Sequence, residues 1–487
     1  MGQRRHYDLG VESDVVGVRM QVFSTMPKMR SASWILALVA GLIDFGICHQ
    51  GRAAAASYEI DKAVAVANDR NPDVIIATKR VEAARGGLTE ARSGYLPSVV
   101  ASGFADNRET QNATDLRGED YSSSVRVLEN VYTGGAVSNQ VAIARLNVEK
   151  QQCELEEVRN KITMDVRVAF YDVLLNRAKV GVHENSVRVL NEELKAQEER
   201  QRAGIVGNLN VHRAEVAVAN EQPELANART QLKNSYLHLA ELLGSNSADS
   251  GFEVAGQLQY EARHPDLKDC LGRADAKRAE IHAREIDVRI EDRQYLVDKS
   301  ELRPRVQAFS GYEVYNERDP FVGPEFNNGY LLGLSGTWHV FDGYATKGRM
   351  QATKARRDAA ATALDATRRA IASEVRSAFF DLEQADKVLE PATKSVQTAD
   401  ESLEITKSNL AAGLGTQLDI LQAAADVTRT RTTRLSAIYL HNVALARLAR
   451  ACGSTPEALD FASDKFKPRH EKQAVDLAHP PEKLTKQ

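Results

Sequence analysis

Apolar positions recur at helical spacing from residue 58 to about residue 93 and stop at Tyr95-Leu96-Pro97. Two strand-like stretches follow, at about 98–107 and 121–132. From Gly135 a helical pattern then runs without proline to about Ala203, roughly 69 residues. At the α-helical rise that is about 100 Å. Such a length exceeds an ordinary globular helix and predicts a coiled coil or an elongated bundle. After a turn at Gly204 a return helix is expected over about 209–243, kinked at Pro223.

The same order then recurs. A helix is expected over about 267–302, strands at about 305–316 and 329–341, a long helix over 344–412 and a return helix over 418–452. Pro391 in the long helix occupies the place of Val182 in the first copy, and predicts a kink or short break. Gly134, Gly204 and Gly244 answer Gly343, Gly413 and Gly453 at a constant offset of 209. Within that register Asp165-Val166-Arg167-Val168-Ala169-Phe170-Tyr171-Asp172 matches Glu374-Val375-Arg376-Ser377-Ala378-Phe379-Phe380-Asp381 at five of eight positions. The chain is therefore an internal duplication, with repeats expected at 57–250 and 251–454.

In the second copy, Val396, Ala399, Leu403, Thr406 and Leu410 alternate spacings of three and four; Val187, Leu190, Leu194, Gln197 and Gln201 occupy these places in the first. This is a helix-packing seam that becomes polar toward the turn. The strand pattern at 329–341 puts Tyr330, Leu332, Leu334, Gly336, Trp338 and Val340 on one face. Leu331, Gly333, Ser335, Thr337 and His339 fall on the other. Such alternation suits a membrane barrel strand, with Tyr330 and Trp338 at its interfaces. Two strands per copy give four per chain, too few to close a barrel, so closure requires several chains.

Charge and composition add mainly exclusions. Lys plus Arg (63) nearly balances Asp plus Glu (67), so no strong field points to nucleic acid. The four cysteines, Cys48, Cys153, Cys270 and Cys452, form no CxxC or metal-ligand spacing and read as isolated, with neither metal nor cofactor implied. No HExxH, GxSxG or phosphate-binding glycine loop is present, which argues against an enzyme. Lys28 and Arg30 precede an apolar run at 34–43 and small residues at 53–56, the order of a secretory signal peptide with mature chain beginning near Ser57. Met26 or Met29 is a candidate start, and Ile47 argues against lipidation of Cys48. No later stretch is apolar enough for a spanning helix, so a membrane segment would have to be built of strands. The charged, proline-bearing segment 455–487 is expected to be a mostly disordered tail.

These residues resemble the TolC family of outer-membrane efflux channels over nearly all of 58–453. The resemblance rests on the duplicated order, on Leu334-Ser335-Gly336-Thr337-Trp338-His339-Val340-Phe341-Asp342-Gly343, and on Ala412-Gly413-Leu414-Gly415-Thr416-Gln417-Leu418-Asp419-Ile420-Leu421. It implies a mixed α and β fold, in which a homotrimer forms one twelve-stranded barrel in outer-membrane lipid. A helical tunnel would continue that barrel across the periplasm. It also implies docking to a periplasmic adaptor and an inner-membrane pump, for export of small molecules or proteins. The adaptor would dock at Gly204, Ile205 and Val206 and at Gly413, Leu414 and Gly415. Asp419 matches a constricting acidic ring, while Gln422 stands where the family pattern has a second Asp. Asn210, Leu410 and Gly415 replace the charged and aromatic residues of the family's entrance lock, which points to closure by packing. Three Asp419 carboxylates around one axis would favour cations and raise one another's pKa. A periplasmic coiled-coil scaffold or adaptor without channel activity is the alternative; it leaves the strand hairpins unexplained.

Overall fold

The computed structural model describes residues 57–107, 119–245, 252–260, 262–316 and 326–459. The signal-peptide region 1–56, with Cys48, lies outside them, as does 460–487. The chain order is β1 (Ser57–Tyr58), α1 (Ile60–Arg70), α2 (Pro72–Ser93), β2 (Ser98–Asn107), β3 (Glu119–Tyr132), α3 (Ala136–Arg202) and α4 (Asn208–Leu242). The second half gives β4 (Glu253–Val254), α5 (Leu267–Lys277), α6 (Ala279–Ser300), β5 (Arg305–Asn316), β6 (Phe326–Thr337), α7 (Ala345–Ala411) and α8 (Gln417–Ala451). The two long helices, α3 and α7, have 67 residues each, as the uninterrupted pattern predicts. Among the described residues no helix is long and apolar enough to cross a membrane.

The leading helix of each repeat is broken, contrary to expectation. Asn71 adopts an extended backbone between α1 and α2, because the residue before a proline, here Pro72, is pushed out of the α region. Arg278 does the same between α5 and α6 without a proline. Tertiary contacts hold this second break. Asn71 Nδ2 donates to the Leu242 carbonyl (2.9 Å), and Arg278 Nη1 donates to the Arg450 carbonyl (3.0 Å). Each break thus supplies a donor to a carbonyl at the end of a return helix, where no intrahelical partner exists.

Neither interior proline interrupts its helix: α4 continues through Pro223 and α7 through Pro391. Both prolines lie on exposed faces, as do Ala219 and Lys387 one turn earlier, so the carbonyls deprived of a donor can be hydrated. The seam forms as read. Leu190, Leu403, Ile420, Ala423 and Val427 are buried together where α3, α4, α7 and α8 meet, with Leu194, Ala399 and Leu410 packed on them.

A four-stranded antiparallel sheet runs in the order β2-β3-β5-β6, so β3 and β5 join the repeats and β2 and β6 are open edges. Its register places Val99, Val127, Ser310 and Leu332 in one row and Ala101, Val125, Tyr312 and Tyr330 in the next. The apolar members of these rows are exposed, as is Leu334. The opposite face is mixed and carries polar pairs: Ser102 with Ser124 (2.9 Å), Arg126 with Glu313 (3.2 Å) and Gln307 with Asn130 (3.5 Å).

Three further expectations are corrected. β6 ends at Thr337 rather than Phe341, because its partner β5 begins at Arg305, directly after Pro304, and leaves nothing to pair with the last four residues. Trp338 instead donates its indole N–H to the Leu302 carbonyl (3.1 Å). The expected tail starts with an ordered turn, Pro456–Leu459, whose Leu459 is fully buried. Cys270 and Cys452 are not isolated: they share one buried core.

Candidate functional site

The two turns that end the helical hairpins are built alike. Gly204 (φ +73°) and Gly413 (φ +75°) occupy the left-handed region, which glycine enters without steric cost. The Ile205 N–H donates to the Arg200 carbonyl and the Gly204 N–H to the Gln201 carbonyl, each at 2.9 Å. In the second copy the Leu414 N–H donates to Asn409 (2.9 Å) and the Gly413 N–H to Leu410 (3.1 Å). This paired arrangement satisfies helix-end carbonyls and reverses the chain in few residues. It leaves Ile205 and Leu414 projecting into solvent, with Val206 half-buried.

After the turn the copies diverge. Thr416 caps α8: its hydroxyl accepts from the Asp419 N–H (3.3 Å), and the Asp419 carboxylate accepts from the Thr416 N–H (2.8 Å) and hydroxyl (2.7 Å). The reciprocal pair is a capping box. In the first copy Gly207 occupies the capping position and no side-chain cap bond forms. The hydroxyl and amide donors of Thr416 hold the Asp419 carboxyl below the usual aspartate range. Within one chain this direction opposes the rise expected from crowding around a threefold axis. Asp419 and Gln422 are exposed, Asn210 is half-buried, and Leu410 packs on the four-helix core. A Cβ placed on Gly415 would lie 3.3 Å from the Leu410 amide nitrogen, so the turn is already drawn against its helix end.

One residue of this region escaped the sequence reading. Gln417, the first residue of α8, is buried, and both atoms of its amide lack a hydrogen-bond partner among the described residues. Gln197 on α3 is also buried; its Nε2 donates to Glu193 (2.6 Å). Gln197 lies on the predicted seam, but no periodicity marked Gln417, which sits at a helix start.

The helices of the two repeats are covered unequally. α6 packs against both α3 and α7, and α8 against both α7 and α3. Their first-repeat equivalents, α2 and α4, pack against α3 and make no comparable contact with α7. Side chains at equivalent places report the difference. Leu237 on α4 is 48% exposed whereas Ala446 on α8 is 3% exposed. Ile76 on α2 is 51% exposed and Ala283 on α6 is 8% exposed. On α7, Phe380 is exposed while its equivalent Tyr171 is half-buried.

Two long helical hairpins, a two-faced sheet with open edges and uncovered apolar helix faces are matched by one family model, outer membrane efflux protein, over residues 63–245 and 270–454. The chain belongs to the outer membrane efflux protein family. The two matched segments fall within the two repeats. The cobalt-zinc-cadmium resistance protein CzcC of Cupriavidus metallidurans is 26% identical over 251 residues, 50% of this chain and 57% of that protein. The outer membrane protein TolC of Escherichia coli is 25% identical over 191 residues, 37% of this chain and 39% of that protein. The chain thus spans about half the length of the curated relatives it matches. A membrane protein crystal structure from Pseudomonas aeruginosa superposes with a TM-score of 0.70 at 17% identity, covering 83% of this chain and 92% of that one. This likeness establishes the channel fold. Members of the outer membrane efflux protein family and the structural neighbours are channel proteins rather than enzymes, and the protein is located in the outer membrane.

Proposed function

We propose that this protein is the outer-membrane channel of a tripartite efflux or type I secretion system, a homotrimer through which small molecules or proteins leave the cell. The observation that carries the reading is the pairing of open edges with uncovered faces. Within the chain, β3 of the first repeat pairs with β5 of the second, and α3 meets α6 and α8. Repeating that junction between chains would pair β6 of one copy with β2 of the next, and would lay α7 of one copy over α2 and α4 of the next. Three copies of four strands make a closed twelve-stranded barrel, which removes every edge a bilayer would not tolerate. The exposed row of Val99, Val125, Val127, Tyr312, Tyr330, Leu332 and Leu334 would face lipid, and the Arg126–Glu313 pair would face the lumen.

A periplasmic adaptor is the proposed partner at Gly204, Ile205, Val206, Gly413, Leu414 and Gly415, with an inner-membrane pump behind it. The names of the relatives support two cargo classes: CzcC is a cobalt-zinc-cadmium resistance protein, and PrtF of Dickeya chrysanthemi is a proteases secretion protein. Asp419 is proposed to form the constriction, with Gln422 beside it. Leu410, packed on the helix core, favours closure by packing where a charged lock is missing. A soluble scaffold is disfavoured because it would leave the apolar sheet face in water.

The test is fractionation followed by planar-bilayer recording. A heat-modifiable trimer in the outer membrane that conducts ions supports the channel, and a soluble monomer overturns it. Crosslinking in intact cells from a Leu414→Cys variant identifies the adaptor; crosslinks to none would remove the turn from the docking surface.

A further inference from the structure

The second repeat contains chemistry that the channel reading does not use. Cys270 lies on α5 and Cys452 directly follows α8, and both are fully buried in a core with Ala274, Val375, Leu448 and Leu459. Their thiols are hydrogen-bonded to each other. The duplication supplies an internal comparison. At the equivalent places the first repeat carries Ala63 and Leu243, both buried in the matching core. An apolar pair therefore fills this site adequately, and packing alone does not call for two thiols there.

We infer that Cys270 and Cys452 form a disulfide that staples α5 to the end of α8 and closes the second repeat covalently. The inference goes beyond the channel reading and requires only that the chain is exported, since the compartment beyond the inner membrane is oxidising. Exchange can open from either sulfur with the same product, for instance from that of Cys270. Its thiolate attacks a disulfide donor, a protein or small-molecule disulfide of the exported compartment, forming a mixed disulfide and releasing one donor thiol. Cys452 then loses its proton and attacks the Cys270 sulfur, releasing the second donor thiol. Two cysteines are oxidised and one donor disulfide is reduced to two thiols. Because both side chains are buried in the folded protein, exchange takes place before α5 docks on α8.

The test uses the full chain purified from outer membranes, alkylated with N-ethylmaleimide in denaturant without reductant, digested and analysed by mass spectrometry. The expected result is a peptide pair joining Cys270 to Cys452, lighter than the sum of its parts by two hydrogen atoms. Alkylation of both residues, or linkage of either to Cys48 or Cys153, overturns the proposal. A Cys270→Ala, Cys452→Leu double variant carries the residues of the first repeat and is expected to assemble. Reductant should lower the temperature at which the wild-type trimer dissociates and leave that of the variant unmoved; an equal shift in both overturns the staple.

Discussion

Asp419 has a capping role and a proposed pore role, and the two separate by experiment. As a pore charge it should repel anions and hold cations, so Asp419→Ala is expected to raise single-channel conductance and weaken divalent-cation block; unchanged values would take Asp419 out of the pore. As a capping residue its pKa is lowered by Thr416, so the cap is fully present above the ordinary aspartate range and is lost as pH falls through the depressed folded value. Removing the hydroxyl donor should raise that value. Thr416→Val is therefore expected to move the pH midpoint of divalent block upward in bilayer recordings, and a fixed midpoint would break the link between the two residues. Gln417 tests the neighbouring packing. Its buried amide lacks partners among the described residues, and an unsatisfied polar group of that kind costs about 1–3 kcal/mol. Gln417→Leu is expected to raise the denaturation midpoint in urea, whereas destabilisation would show that the amide finds partners in the assembled protein.

At the scale of elements, each repeat is closed where the end of a return helix meets the break in its leading helix. Gly244, just beyond α4, has φ +67°, and a Cβ there would lie 2.4 Å from the Arg70 carbonyl oxygen. The conformation and the close approach both demand glycine. Gly244→Ala is expected to destabilise the first repeat by about 1–3 kcal/mol, more than Gly204→Ala, whose added methyl meets nothing nearby. Comparing the two variants in thermal melts separates conformational strain, common to both, from the clash with Arg70. The β1–β4 pairing belongs to the same closure. Tyr58 and Tyr236 stack edge-on against Phe252 at 5.6 and 5.7 Å, tying the inter-repeat connection onto the first repeat.

At the scale of the molecule, the duplication explains how one chain would present matching surfaces in the proposed trimer. The contacts α6 makes with α3 and α7 inside the chain are the pattern that α2 lacks, and in the proposed trimer the α7 of another copy would supply it. Leu237→Asp and Phe380→Asp place charges on the uncovered faces while touching little of the monomer core. Each is expected to abolish the heat-stable trimer in native gels while leaving helical circular dichroism unchanged; retained trimers would mean that these faces are not the interface.

The sequence by itself determined the duplication, the long helices, the four strands and the glycine turns. These rest on periodicity and on backbone freedom, which are properties of neighbouring residues. The break at Asn71 was also written locally, in the dipeptide Asn71-Pro72, although the helical pattern around it masked the signal. The break at Arg278 was not, because its guanidinium donates to the Glu374 carboxylate and the Arg450 carbonyl, acceptors far away in the chain. The candidate entrance was partly legible: Gly413 and Asp419 announced a turn and a charge, but the burial of Gln417 depends on the helices that enclose it. Nor could spacing unite Cys270 with Cys452 or place the β3–β5 junction, since residues far apart in the chain meet only when the helices pack. Tertiary structure decided which faces were left uncovered, because burial is a property of the neighbours a residue acquires and not of the residue alone.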